Sequence, residues 1–502
     1  MHADPHLASS NLAYTSAAAS LDALAAGETT SEALVSILLS RIAQVDAPDS
    51  QIALRSILAV NSDALATARE RDEQRSRGEL LGPLHGLPVL IKDNIEAVGL
   101  PGTAGATSLS NRPVTHDAEL VQHLRKSGAI ILGATNLSQW ANIRSSHSSS
   151  GWSAVGGLTG NPWSLDRSAG GSSSGSGAAV AAGLAPVAVG SETDGSIVCP
   201  ASLNGVVGIK PTVGSVSGRG VIPISASQDS PGPLARSVQD AALLLDVLRG
   251  DMSGTLFAVA NEATSDKPGA NVRIGALRNY RSGHPATDAL FESVVAALHD
   301  AGFAISESDA PTPPPAVGQD ELVVLLHELV DDLSAHLRSR GPGGPMSLAE
   351  VIEHEKAHAG VEMPWFGHDL LEKAAASGGR ANEKYAGARS RNLAWALDEC
   401  LLPALENNDV LIAPSYAPAW KIDLTNGDQG LASPVTRPAA IAGFPIGCLP
   451  MGIINGLPVG LAFIAGRDQE AVLVRAMAQV EASLALQGSL YLRPTFAAAR
   501  RG

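Results

Sequence analysis

Between Ser168 and Ile209 the chain runs for 42 residues with only two charges, Glu192 and Asp194. The block opens with a Gly/Ser tract, Ser168-Ala-Gly-Gly-Ser-Ser-Ser-Gly-Ser-Gly177. It passes through an Ala/Val-rich helical run and ends in Gly190-Ser-Glu-Thr-Asp-Gly-Ser-Ile-Val-Cys-Pro200. A Gly/Ser tract ordinarily reads as a flexible linker. A linker is flanked by polar surface, whereas this one feeds directly into a helix that is apolar on all sides. Small residues against such a core let backbones approach closely. They leave N–H groups free to bind an anion or a developing oxyanion.

Lysine gives the second constraint. The chain has 8 lysines against 27 arginines, and one of the eight, Lys92, ends the apolar run Gly86-Leu-Pro-Val-Leu-Ile91. A lysine there either snorkels to solvent or pairs with Asp93, or it stays buried. Burial lowers its pKa and makes it a usable base.

At 502 residues and 45% hydrophobic content the chain can bury a large core. Its formal charge of -15 argues against nucleic acid or an anionic membrane as partner. Cys199, Cys400 and Cys448 lie far apart in apolar surroundings and read as buried free thiols, not a disulfide framework or metal pair. Residues Met1 to Tyr14 carry no basic start followed by an apolar run, and no stretch is long and apolar enough to span a membrane. A cytoplasmic protein is the default expectation, with an export segment already removed as the alternative.

Apolar runs of strand character fall at 87–91, 129–132, 187–190, 272–277, 409–412, 446–450 and 459–464. Helical patterns fall at 18–45 (with Thr30 and Ser31 as cap candidates), 62–79, 118–127, 237–249, 286–302 and 470–485. This alternation predicts an α/β fold: one large domain, 1–502, with a mixed β-sheet sandwiched between helical layers. An N-terminal helical segment covers 1–80, and a variable helical insertion covers about 320–408, where no strand pattern is visible.

Taken together, the motifs resemble the amidase signature family. They are Gly86-Leu-Pro-Val-Leu-Ile-Lys-Asp-Asn94, Gly133-Ala-Thr-Asn-Leu-Ser-Gln-Trp-Ala141, Gly157-Leu-Thr-Gly-Asn-Pro-Trp163, Gly170-Gly-Ser-Ser-Ser-Gly-Ser-Gly177, Gly190 to Ala201, Gly205-Val-Val-Gly-Ile-Lys-Pro-Thr-Val-Gly214, Gly443-Phe-Pro445, Leu449-Pro-Met-Gly452 and Gly456-Leu-Pro-Val-Gly-Leu461. The resemblance is strong over about 80–250 and 409–485 and loose between. It implies a Ser–cis-Ser–Lys triad: Ser196 as nucleophile, Ser172 as bridging serine after a cis Gly171–Ser172 peptide, and Lys92 as terminal base. It further implies an oxyanion hole built from the N–H groups of Thr193, Asp194, Gly195 and Ser196, and no cofactor or metal. The activity expected is carboxamide hydrolysis through an acyl-enzyme.

Two departures narrow the expectation. The nucleophile motif reads Asp194-Gly195-Ser196 where most members have Gly-Gly-Ser, and Ile197-Val198 follows where many have Ile-Arg. With Ser138-Gln-Trp-Ala-Asn142 and Ser150-Gly-Trp-Ser153, these resemble the bacterial peptide amidase branch. That branch implies C-terminal peptide amides as substrates, with ammonia released. The absent arginine argues against a glutamine-hydrolysing amidotransferase subunit. Trp140, Asn142, Trp152, Trp420 and Asp194 are candidate substrate-binding residues, and Asp166 with Arg167 reads as a structural ion pair. The expected partner is a small-molecule or short-peptide amide, bound by a monomer or homodimer.

Three alternatives stay open. The same site could hydrolyse other neutral amides, esters or carbamates, as an aryl or alkyl amidase. The chain could be a non-catalytic, amidotransferase-like subunit. His354-Glu-Lys-Ala-His358 is a literal HExxH, whose two imidazoles share one helix face, so a zinc peptidase is conceivable with Glu355 as base and Glu372 or Glu383 as third ligand. Gly171-Ser-Ser-Ser-Gly175 is a literal GxSxG centred on Ser173, but the last histidine, His368, precedes the C-terminal strands where an α/β-hydrolase needs one. No lysine sits in an SxxK.

Overall fold

A computed structural model describes residues 13–308, 310–485 and 493–497. The apolar runs pair into one eleven-stranded sheet. Its strands are β1 (Ile57–Val60), β2 (Pro88–Lys92), β3 (Ile130–Thr135), β4 (Val187–Glu192), β5 (Val207–Lys210), β6 (Ser230–Ala235), β7 (Arg273–Ala276), β8 (Ala304–Glu307), β9 (Val410–Pro414), β10 (Ile446–Ile454) and β11 (Leu457–Ala465). The order across the sheet is β1-β3-β2-β4-β6-β5-β10-β11-β9-β7-β8. Strand β2 runs parallel to both β3 and β4, while β6 is antiparallel to β4 and β5. The protein is thus one α/β domain with a mixed sheet between helical layers, as the alternation predicts.

Side chains alternate faces along a strand, and here both faces are buried. Val89 and Ile91 enter one core with helices Glu119–Lys126, Val238–Leu248, Thr255–Ser265, Pro285–Asp300 and Glu470–Ala485. Leu90 enters the other, with Ser31–Val45, Ser174–Ala181, Val198–Asn204 and Thr436–Ala442. A strand covered on both faces reads as a continuous apolar run, which is why β2 was visible.

Other elements were not visible. Strand β6 carries Pro231 and Pro233, residues that normally exclude an interior strand. Strand β5 pairs with it only at Leu234 and Ala235, beyond both prolines. Edge strand β8 is mostly exposed and has no apolar run. The helix read over 18–45 is two helices, Ala17–Ala25 and Ser31–Val45, separated by Gly27 at φ 71°. Ser16 and Thr30 cap them by accepting from the N–H groups of Ala19 and Ala33.

The Gly/Ser tract is no linker. From Ser168 to Ile209 every residue but Gly171, Asp194 and Gly205 is buried or nearly so. Helix Ser174–Ala181 is buried at all eight positions. A Cβ on Gly175 would lie 2.2 Å from the Ser56 carbonyl oxygen, so the helix reaches this depth only because the residue is glycine.

Beyond β8 the chain turns helical, with Pro315–Ser339, Leu348–Ala357, Asp369–Ala375 and Glu383–Ala394 as its main elements. Leu329, Leu333, Leu348, Val351 and Leu371 form a separate core with Ala104, Trp140, Ile143 and Ile222. This packing sets the helical segment over the loops that follow β2 and β3.

Candidate active site

Lys92 ends β2 between β3 and β4 and is fully buried. An ammonium has three protons to donate, and three acceptors meet it: Ser172 Oγ at 2.7 Å, Ser191 Oγ at 2.9 Å and the Ser191 carbonyl at 3.1 Å. Burial pulls its pKa down to about 7, against the opposing pull of the Asp229 and Glu192 carboxylates. It is therefore poised to accept a proton near neutral pH. Asn94 Nδ2 donates to the same Ser191 hydroxyl at 3.0 Å.

Ser172, also fully buried, starts the turn into helix Ser174–Ala181, and the Gly171–Ser172 peptide is cis. The next residue ties this turn to the one carrying Ser196: the Ser173 N–H donates to the Ser196 carbonyl at 3.1 Å. Ser196 retains 8% exposure. Sequence motifs 24 residues apart are thus brought side by side, with Lys92 beneath Ser172.

The turn after β4 is held from below. Glu192 Oε2 accepts from the N–H groups of Ile197 at 2.6 Å and Val198 at 2.9 Å. Thr193 Oγ1 donates to Asp229 Oδ1 at 2.5 Å, and Asp229 Oδ2 accepts from the N–H groups of Ile224 and Ser225. Gly195 has φ 81°, in the left-handed region open to glycine. Among the described residues, the backbone N–H groups of Thr193, Asp194, Gly195 and Ser196 donate to no protein acceptor. Four consecutive free donors beside a serine hydroxyl are what a developing oxyanion requires.

Asp194 is the least buried member of this turn, with its side chain 20% exposed. Its Oδ2 lies 3.9 Å from Arg437 Nε, and its Oδ1 has no hydrogen-bond partner. Arg437 Nε also donates to Glu321 Oε2 at 2.8 Å. Burial, reinforced by the Asp194 charge, pushes the Glu321 carboxyl up to about 8.

The other candidates are more scattered. Trp140 is buried, and its indole N–H donates to Glu355 Oε1 at 2.8 Å. Asn142 accepts from Ser148 Oγ at 2.9 Å. Trp152 is buried, edge-on to Phe366 at 5.2 Å. Trp420 Nε1 donates to Asp428 at 2.9 Å, and its ring packs in a cluster with Cys199 and Leu203. Ala141 does reach the site, lining a cavity of about 350 Å³ with Asn94, Ser191, Thr193, Ile222 and Asp229. Asp166 and Arg167 pair at 3.7 Å, and all three cysteines are buried and free, as expected.

The zinc alternative does not fit. His354 Nε2 meets Thr107 Oγ1 at 3.1 Å, and His358, exposed past the helix end, turns Nδ1 onto the His354 carbonyl at 2.9 Å. Glu355, which would be the base, is buried against Trp140, Gln139 and His368. Among the described residues no cluster of three His, Cys, Asp or Glu side chains is arranged to hold a metal.

Set against known proteins, residues 33–474 match the family model for amidases. The chain belongs to the amidase family. The native peptide amidase of Stenotrophomonas maltophilia shares 40% identity with a TM-score of 0.86, over 96% of this chain and 98% of that one. An amidase-family protein of Schizosaccharomyces pombe is 32% identical over 495 residues, 91% of this chain and 82% of its own length. A glutamyl-tRNA(Gln) amidotransferase subunit from Pseudomonas aeruginosa is 34% identical over 480 residues, 91% and 95% of the two chains. The amidase is a hydrolase closely related to bacterial peptide amidase, with a family architecture suited to serine acyl-enzyme chemistry on amide bonds. Among its described residues no helix is long and apolar enough to cross a membrane.

Sequence reasoning missed several residues around this site. Ser191 and Glu192 lay inside the motif, and Asn94 beside Lys92, without a role. Asp229 gave no signal, because its contact with Thr193 exists only in three dimensions. Glu355 was legible only as part of a false metal motif.

Proposed function

We propose that the amidase removes the terminal amide from C-terminally amidated peptides, with Ser196 as nucleophile, Ser172 as bridging serine and Lys92 as terminal base. The observation that carries this reading is the 2.7 Å hydrogen bond from buried Lys92 to Ser172, next to four free backbone donors around Ser196.

As Ser196 Oγ adds to the amide carbonyl carbon, its proton passes to Ser172 and the Ser172 proton passes to neutral Lys92. The carbonyl oxygen becomes an oxyanion and takes hydrogen bonds from the Thr193–Ser196 N–H groups. Collapse breaks the C–N bond, and the leaving nitrogen takes a proton back along the same relay and departs as ammonia. Water then attacks the Ser196 ester. Its proton follows the relay, Ser196 regains its own, and the carboxylic acid leaves.

The peptide-amide preference is supported by 40% identity to a peptide amidase over nearly the whole of both chains. Asp194 adds to it: its carboxylate, one-fifth exposed in the turn that carries Ser196, is placed to accept a substrate backbone N–H. The helical segment over about 320–408 acts as a variable insertion on a domain spanning 1–502 and packs against Trp140 and Ile143 in the loop that follows β3. The partner is a short-peptide or small-molecule amide, bound without a cofactor.

The test is ammonia release from a C-terminally amidated dipeptide by wild type and Ser196→Ala, with a simple aryl amide alongside. Turnover of the dipeptide amide that disappears in Ser196→Ala is the expected result. Turnover of the aryl amide alone would replace the substrate, and activity surviving in Ser196→Ala would overturn the mechanism.

A further inference from the structure

The HExxH glutamate has a use that its motif does not suggest. Glu355 is fully buried and serves four partners. Oε1 accepts from the Trp140 indole at 2.8 Å and from Gln139 Nε2 at 3.1 Å. Oε2 meets His368 Nδ1 at 2.7 Å and Arg144 Nε at 3.5 Å. Gln139 closes the network: its Oε1 accepts from Arg144 Nη1 at 3.0 Å, and its Nε2 donates to Glu362 Oε2 at 2.5 Å. The Arg144 guanidinium lies beside both rings of the Trp152–Phe366 pair, 5.3 and 5.1 Å from their centroids. Buried charges are costly unless paired, and a network whose members are paired and, Arg144 Nε apart, hydrogen-bonded favours a single arrangement.

The arrangement it fixes is unusual. Trp140, Ala141 and Asn142 have φ values of 52°, 52° and 75°, three consecutive non-glycine residues in the left-handed region. L-residues hold that conformation only where the surroundings enforce it. The Trp140 N–H donates to the Ala104 carbonyl at 2.9 Å, and its indole donates to Glu355, so the first residue of the turn is held at both ends.

The same loop touches the relay. The Ser138 N–H donates to the Ser172 carbonyl at 3.1 Å, and Ser138 Oγ sits where a Cβ on Gly171 would come within 2.3 Å. On the other side Ala141 lines the cavity shared with Ser191 and Thr193. A displacement of Trp140 therefore moves the cavity wall.

We propose that Glu355 is a positioning residue: it locks the Trp140–Asn142 turn so that Ala141 shapes the pocket for the acyl side of the substrate. This rests on the proposed relay at Ser196 but adds a role for the helical segment, that of a brace on substrate binding.

The experiment compares Glu355→Gln, Trp140→Phe and the double variant, with KM and kcat measured on a C-terminally amidated dipeptide. Each single variant should raise KM by about tenfold, with kcat kept within about threefold, the pattern of lost ground-state binding. Trp140→Phe removes the indole N–H and shrinks the ring while leaving the other Glu355 partners in place, so it carries the test if Glu355→Gln fails to fold. The double variant should be no worse than the more damaging single one, because both act on the turn through the Trp140–Glu355 contact. Unchanged KM in both singles, a loss confined to kcat, or additive effects would overturn the proposal. If wild type does not turn over the dipeptide amide, the substrate reading has failed, and the same KM comparison is made on the aryl amide.

Discussion

Lys92 Nζ lies 2.7 Å from Ser172 Oγ, and neither residue is exposed to solvent. Only the neutral amine can accept a proton, and burial brings this lysine to about 7. On an uncharged amide substrate kcat/KM should rise about tenfold per pH unit below that value and level off above it. A pH–rate profile that stays flat between about pH 5 and pH 9 would remove Lys92 as the base.

The same burial has a cost in stability. The ordinary value is 10.5 and the folded value about 7, so between them the unfolded chain binds more protons and stability rises with pH. Below pH 7 the cost of burying the ammonium is complete. Lys92→Met should abolish turnover yet raise the thermal midpoint by roughly a few degrees near pH 6, a gain that shrinks towards pH 10. Thermal scans at the two pH values check it.

Gly195 has φ 81°, and a Cβ there would lie 2.6 Å from Tyr416 Oη. Gly195→Ala should lower kcat by about 100-fold or more by distorting the oxyanion turn. Adding Tyr416→Phe removes the clash but not the backbone strain. Melting temperature should recover in part while kcat does not.

The residues proposed as the triad stand out because they sit in motifs whose residue types have few other uses: a lysine closing an apolar strand, and two serines in an almost uncharged, glycine-rich block too apolar to be a linker. What surrounds them does not. Asp229 supports Thr193 from 36 residues away, a contact made by the antiparallel pairing of β4 and β6, and β6 was itself hidden by Pro231 and Pro233. Helical spacing correctly put His354 and His358 on one face, where their rings stack at 4.1 Å. It could not tell that Glu355 points inward to Trp140, because spacing orders residues around a helix without saying what packs against it.

His354→Ala and His358→Ala should each retain wild-type turnover within about twofold, and a chelator should change neither activity nor melting temperature. Loss of activity on chelation that is restored by zinc would reopen the metal reading.

Asp194 Oδ1 has no protein partner, while Oδ2 faces Arg437 at 3.9 Å. Asp194→Asn keeps the shape and removes the charge. KM for a dipeptide amide should rise about fivefold to twentyfold, roughly the worth of one charge-assisted hydrogen bond. Equal KM in the two proteins would free Asp194 of any part in binding.

The contacts of Glu355 with Trp140, Gln139, Arg144 and His368 bear on how such enzymes are recombined. The loop over 138–144 and the helical stretch over 355–368 are far apart in the chain, yet their side chains form one buried network. A chimera that exchanges only the helices would leave a buried arginine facing a foreign surface. One that carries both segments keeps the lock together with its key.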